Sequence, residues 1–379
     1  MKTKSNNKRN VPNLRFKEFG YDWERKTLGE VFAIGNGRDY RHLDKGEIPV
    51  FGTGGIMTYV NSFLYDGETV CIGRKGTIDK PLYYKGKIWT VDTLFYTHSF
   101  ISAVPKFVFY IFQLINWKEH NEASGVPSLS KKTIEEIEIH LPSLLEQQRI
   151  ASFLSLIDGR IQTQNKIIEN LKTQMLGLQE KIFRQKIKLK NSNGRYFPLW
   201  SFKKGGELFE SISNKSHNSD LSILAITQVK GAVPRDLIDY QIMVTERSIE
   251  SYKVVEIGDF IISLRSFQGG IEHSDYKGIC SPAYIILRNK IEIMQSFYKY
   301  YFKTPDYIKL LNKKLEGIRD GKMISYSYFA EILIPFPELE EQKQIALFLS
   351  KTDQKIQTEK AILEQLGIQK KYLLQQMFV

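Results

Sequence analysis

From Ile150 the apolar positions fall alternately four and three residues apart: Ile150, Leu154, Ile157 and Ile161, then Gln164, then Ile168, Leu171, Met175, Leu178 and Ile182. A repeat of about 3.5 residues is the seam of a coiled coil. A second run keeps the rhythm with more polar interruptions: Ile345, Leu349, Thr352, Ile356, Glu359, Leu363, Leu366, Lys370, Leu373 and Met377. The plainer alternative is an amphipathic helix lying on the core of its own domain, but most such cores demand a wider stripe than a strict seam provides. Each run carries a polar residue, Gln164 or Glu359, near its middle. If the two helices pair antiparallel, those positions lie close together, where a polar pair costs stability but fixes register. The 38 residues from Glu146 to Phe183 make a rod of roughly 57 Å. Gly159 is a candidate point for a kink or break in it.

The two runs are copies. Residues 142–183 and 337–378 align without a gap at an offset of 195, with 19 of 42 positions identical. That period is far too long for a solenoid repeat, so the duplicated unit is a domain plus its helix. The stretches outside the helices are related more loosely. Trp23 to Phe32 resembles Trp200 to Phe209 at an offset of 177, so the second unit has gained 18 residues in its interior. Short apolar runs at 47–51, 69–72, 88–91, 258–262 and 283–287 read as strands. Stretches 106–120 and 293–315 read as helical and precede the two coils. The cations Lys181, Arg184, Lys186, Lys188 and Lys190 suit the C-terminal end of the first helix, and the polar stretch 191–194 links it to the second unit. The expected fold is α/β (mixed α+β): globular domains at 1–141 and 191–336, and helices at 142–190 and 337–379 forming an antiparallel coiled coil, with pseudo-two-fold duplication throughout.

Composition narrows the partners. A length of 379 residues fits two or three domains, and the net charge of +12 with a pI near 9.3 points to a polyanion, most often nucleic acid. Cys71 and Cys280 lie in widely separated segments, which argues against a disulfide framework or a zinc site. The six histidines lack metal-ligand spacing. The longest apolar run, near 107–117, is too short to span a bilayer. The polar opening residues do not read as a signal peptide, so a reducing cytoplasm is the expected location.

Two divergent variable domains, each followed by a helix opening Pro-x-Leu-x-Glu-Gln (Pro142 to Gln147, Pro337 to Gln342), resemble the specificity subunit of type I restriction–modification systems. The resemblance covers essentially the whole chain. Supporting stretches are 48–55, 71–77 and 89–93 in the first unit, and 258–266 and 281–284 in the second. It implies that each globular domain, a target-recognition domain, reads one half of an interrupted, bipartite site in double-stranded DNA. The helices would set the spacing and help dock two methyltransferase subunits, and a motor-nuclease (restriction) subunit would complete the complex. It also implies that this chain has no catalytic centre and binds no cofactor. S-adenosylmethionine, ATP and Mg would belong to the partner subunits.

Contacts with DNA are expected in loops. In 73–77, glycines allow close backbone approach; Arg74 is suited to guanine, and Lys75 or Thr77 to phosphate. In the second unit Arg265, Ser266 and Gln268 occupy a comparable place, with Gln268 suited to adenine. Loops 124–130, with Ser128 and Ser130, and 317–322, with Arg319 and Lys322, precede the coils at matching positions. Their matching places suit a common partner, DNA or methyltransferase, with support of the fold as the alternative; for the 73–77 turn the alternative is a tight turn with solvated charges.

Two other classes compete. A fused methyltransferase would use 51–55, which resembles a Phe-x-Gly-x-Gly loop but has Thr53 in place of the first glycine, for S-adenosylmethionine, and 281–284, which resembles the motif that holds a flipped base. The first lacks a following helix and acidic partner, the second lacks its acceptor and one proline, and they fall in different copies. A phosphate loop of the Gly-x4-Gly-Lys-Ser/Thr type is absent. The third class, a coiled-coil adaptor that binds only protein, would show little of the salt dependence that phosphate contacts impose. The chain purified by itself should therefore neither bind S-adenosylmethionine nor methylate DNA. Methyl transfer by the rigorously purified chain would refute the non-catalytic reading.

Overall fold

A computed structural model of the chain describes residues 10–217, 220–238, 249–313 and 324–379. They form two compact units. The first takes the chain through Lys166 together with Ala361–Val379; the second is Ile167–Lys360.

The first unit opens with β1 (Glu24–Thr27), a one-turn helix α1 (Leu28–Val31) and β2 (Ala33–Asn36). Strands β3 (Lys45–Gly52), β4 (Gly55–Val60), β5 (Tyr65–Gly73), β6 (Leu82–Thr90) and β7 (Leu94–His98) follow. With β2 they make a six-stranded sheet in the order β2-β7-β5-β6-β3-β4, antiparallel except where β3 runs parallel to β6. Next come α2 (Pro105–Leu114), α3 (Lys131–Glu135) and β8 (Glu138–Leu141), and β8 returns to pair with β1. The helix expected over 106–120 ends early, and turns follow it.

The second unit repeats this plan. Strand β9 (Ser201–Lys204), helix α5 (Gly205–Leu208) and β10 (Phe209–Ile212) match β1, α1 and β2. Two hairpin strands, β11 (Leu224–Thr227) and β12 (Gly231–Pro234), precede β13 (Lys253–Val255) and β14 (Phe260–Ile262). A short helix α6 (Ser266–Gly269) leads to β15 (Glu272–His273), β16 (Gly278–Cys280) and β17 (Ile285–Asn289). The sheet order is β10-β17-β14-β15. The helical stretch expected at 293–315 is two helices, α7 (Gln295–Tyr301) and α8 (Pro305–Leu311). Pro305 cannot donate into a preceding helix, so it starts a new one, capped by the Thr304 hydroxyl. Helix α9 (Tyr326–Glu331) and β18 (Leu333–Phe336) close the unit, β18 pairing with β9.

The two long helices are α4 (Leu144–Phe183) and α10 (Leu339–Met377). Helix α4 runs through Gly159 without a break, because thirty-nine other residues of a continuous helix offset the roughly 1 kcal/mol cost of one glycine. Every seam position of both runs is buried or half-buried, Gln164 and Glu359 included. Within the first unit, the core that holds Ile150, Leu154 and Ile157 also holds Leu373, Leu374 and Met377 from the far end of α10. Within the second, Ile345, Leu349 and Ile356 share a core with Met175 and Ile182 from the far end of α4. The pairing is antiparallel in each unit, and the fold class is as expected.

The duplication extends to individual contacts. The Gln147 amide, fully buried, accepts from the Val104 N–H that caps α2 (2.8 Å) and donates to Pro142 O (2.9 Å). Gln342 does the same for Met294, the cap of α7 (2.9 Å), and for Pro337 O (2.9 Å). Phe378 stacks on Phe107 and meets Trp23 edge-on; Phe183, its counterpart, packs against Phe297 and Trp200. The glutamates differ: Arg15 holds Glu146 with two hydrogen bonds, whereas Glu341 accepts from the Trp200 indole (2.9 Å), and burial raises its pKa. Replacing Gln147 or Gln342 with alanine strands a buried N–H and a carbonyl. Each change should lower the unfolding free energy by roughly 2–3 kcal/mol in chemical denaturation, whereas exposed Gln148→Ala should cost little.

Candidate nucleic-acid interface

In the first unit the turn after β5 is shaped by two glycines. A Cβ on Gly73 would run into Thr77 O, and Gly76 sits at φ +90°, the left-handed region that favours glycine. The turn docks on loop 121–130. Gly76 N donates to Pro127 O (2.8 Å), Leu129 N donates to Arg74 O (2.9 Å), and Lys75 bridges Ser128 in antiparallel fashion. The side-chain oxygen of Asn121 accepts from the N–H groups of Ala123 and Ser128, which stiffens that loop. Two stretches well separated in the sequence thus make one surface.

Arg74 and Lys75 are exposed there, and Thr77 and Ser128 are half-buried. The Arg74 guanidinium lies 5.8 Å from the Phe95 ring centroid. Ser130 serves the fold instead, its hydroxyl capping α3 by accepting from Thr133 N. Arg74 N donates to Thr93 O (2.8 Å), which brings the turn beside an open groove lined by Asp39, Arg41, Thr53, Met57 and Asp92. The sequence reading did not single out the strap 37–42; its signal is the basic-aromatic cluster Arg38, Tyr40, Arg41 and His42. Stretch 51–55 turns over between the antiparallel strands β3 and β4, so no helix follows it as a cofactor loop requires.

In the second unit Arg265 and Gln268 are exposed on the turn that includes α6. Ser266 is 1% exposed, and its hydroxyl accepts from Ser263 N inside the turn, so it faces inward. Asn312 fastens the turn from below by donating to Phe267 O (2.6 Å). Arg319 and Lys322 lie outside the described residues.

The seam carries one polar contact that its pattern concealed. Lys370 interrupts the apolar rhythm of α10, yet its ammonium pairs with Asp158 of α4 at 2.7 Å and lies 5.8 Å from the Tyr110 ring centroid. The Tyr110 hydroxyl donates to the same carboxylate, also at 2.7 Å. In the second unit Tyr300 reaches Ser350 (3.4 Å), the counterpart of Ser155, which lies 3.2 Å from Tyr110. Among the described residues no group of histidine, cysteine and carboxylate side chains could hold a metal ion, and no helix is long and apolar enough to cross a membrane.

Each unit is a mixed α/β fold that ties its first strand to its last and ends in a long helix, and the plan occurs twice in the chain. Residues 21–173 and 199–367 match the Type I restriction modification DNA specificity domain, and the chain belongs to that family. It is 28% identical over 338 residues to the Type I restriction enzyme MjaVIII specificity subunit of Methanocaldococcus jannaschii, a match covering 82% of this chain and 76% of that one. It is 27% identical over 158 residues to the EcoprrI specificity subunit of Escherichia coli, covering 38% of each chain. The fold is similar to the crystal structure of the type I S subunit from M. genitalium, with a TM-score of 0.62, 16% identity, and coverage of 97% and 99%. The chain is thus a non-catalytic DNA-recognition subunit that acts in a complex with other subunits. If Arg74 reads guanine, Arg74→Ala should cost on the order of 1–3 kcal/mol of DNA affinity and relax one position of the site. Lys75→Ala should weaken all sequences alike and flatten the salt slope. Titrations of the intact complex at several salt concentrations check both, and unchanged binding would reduce the turn to a structural one.

Proposed function

We propose that the first unit reads one half of an interrupted DNA site through Arg74, Lys75, Thr77 and Ser128, and the second reads the other half through Arg265 and Gln268. The observation that carries this reading is the duplication itself: the same helix, the same ribbon of first and last strands and the same glutamine clasp occur twice, while the loops between them differ. Similar frames with different loops suit two unlike half-sites. Two readers that meet the same side of a duplex need half-sites about one helical turn, roughly 34 Å, apart. A helix of 40 residues spans about 60 Å, enough to act as the ruler. In this reading the helices also dock two methyltransferase subunits, and restriction subunits join that complex. S-adenosylmethionine, ATP and Mg serve those partners in a cytoplasmic assembly.

The ruler makes a direct prediction. Inserting four residues after Leu171 adds about 6 Å to one helix and shifts its seam. Because B-DNA is stiff at this length, the readers should move to half-sites farther apart. At roughly 3.4 Å per base pair along the axis, the unspecific gap should grow by at most about two base pairs while both half-sites keep their sequence. Methylation-sensitive sequencing of DNA from a host carrying the intact complex reads this out. Full modification at the original spacing would exclude the helices as the ruler.

A further inference from the structure

The second unit carries a feature that no sequence motif singled out. Strands β11 and β12 turn over at Gln228, Val229 and Lys230, all exposed, with Val229 87% exposed. The tip is well built: the Thr227 hydroxyl accepts from Lys230 N and donates to Gly231 O, each at 3.0 Å, and Gly231 sits at φ +71°. A three-residue loop closed by a left-handed glycine is a common, ordered hairpin. A single exposed valine is ordinary on any surface; what matters is where this one is held.

The tip is clasped to the turn that bears Arg265 and Gln268. The Gln228 amide donates to Arg265 O (3.4 Å), and a Cβ on Gly269 would come within 2.7 Å of the Gln228 side chain. Beneath both, the Lys303 ammonium donates to Gly269 O (2.9 Å), to Gln228 O (3.5 Å) and to the buried Glu272 carboxylate. One cation therefore joins the hairpin tip, the turn and β15.

We propose that residues 228–230 are a second DNA-reading element of this unit, with Val229 set against thymine methyl groups, Lys230 on phosphate, and Lys303 as the positioning residue that holds the tip beside Arg265. A two-stranded β-ribbon has the width to enter the major groove, where thymine alone presents a methyl group to an apolar side chain. Lysine beside the reading side chain supplies the sequence-independent attraction. The inference rests on the assignment of DNA reading to the turn at 265–268.

The test uses the intact complex, with DNA titrations at several salt concentrations and sequencing of the methylated motif. Val229→Ala should relax one thymine-containing position of this unit's half-site and weaken the cognate site roughly tenfold. Lys230→Ala should weaken all sequences alike and reduce the salt slope by about one. Lys303→Met should broaden this half-site while leaving the other half unchanged. Because that change strands the buried Glu272, Gly269→Ala, which pushes Gln228 aside, serves as a second positioning variant, and thermal melting verifies the fold of each. If Arg265→Ala relaxes the half-site while folded Val229→Ala and Lys230→Ala leave motif and salt slope untouched, the tip is not a reader and the proposal falls alone. If Arg265→Ala is also silent, the assignment of reading to the turn falls with it.

Discussion

The apolar seam between α4 and α10 is the contact on which both units depend. Each unit contains the start of one long helix and the end of the other, and completes its core with the borrowed end. The first core includes Leu373, Leu374 and Met377; the second includes Met175 and Ile182. Each such side chain contributes about 1.5–3 kcal/mol when buried. Neither core is closed by one contiguous segment of the chain, so each needs the helix end that the other copy of the repeat supplies.

That dependence explains where the chain is strict and where it is loose. The positions that repeat between the copies hold a helix to its domain: Gln147 and Gln342 clasp helix caps, and Phe183 and Phe378 plug aromatic sites. Ser155 and Ser350, with Tyr110 and Tyr300, add a matching polar contact on the flank. The turns at 73–77 and 265–268 take no part in those contacts, and they differ in sequence while leaving from comparable places. A specificity subunit needs this separation: the frame must keep its dimensions while the reading surfaces vary. Loops on a rigid scaffold are the usual carriers of such variation.

Polar groups at buried places do the fine positioning. Asp158 takes both the Lys370 ammonium and the Tyr110 hydroxyl, so a residue that weakens the apolar rhythm of α10 gains a specific partner. Such a contact selects one register among several that an all-apolar seam would tolerate. Lys303 has a comparable place in the second unit, where backbone carbonyls from two loops converge on it. An ammonium taken largely out of water persists only where acceptors replace the lost hydration, which makes such residues rigid junctions.

The sequence by itself determined the duplication, the two helices and most strands, because each is written as a local period or a constant offset; the antiparallel partnership it left as an expectation, which the shared cores bear out. The seam rhythm predicted burial at its own positions from Ile150 to Ile182 and from Ile345 to Met377, and each of them is buried or half-buried. The break considered at Gly159 did not occur, since one glycine costs less than the helix around it gains. Only the tertiary structure decided that the turn at 73–77 docks on 121–130, that Ser130 and Ser266 serve their own backbones, and that the hairpin tip at Val229 stands beside Arg265. The docking of the turn and the contact of the tip join residues far apart in the chain, whereas the Ser130 and Ser266 hydroxyls accept from N–H groups three residues away; in every case one partner is a backbone atom without a side-chain signature. No period or motif records such pairings; they follow from where the folded sheets and helices bring the loops.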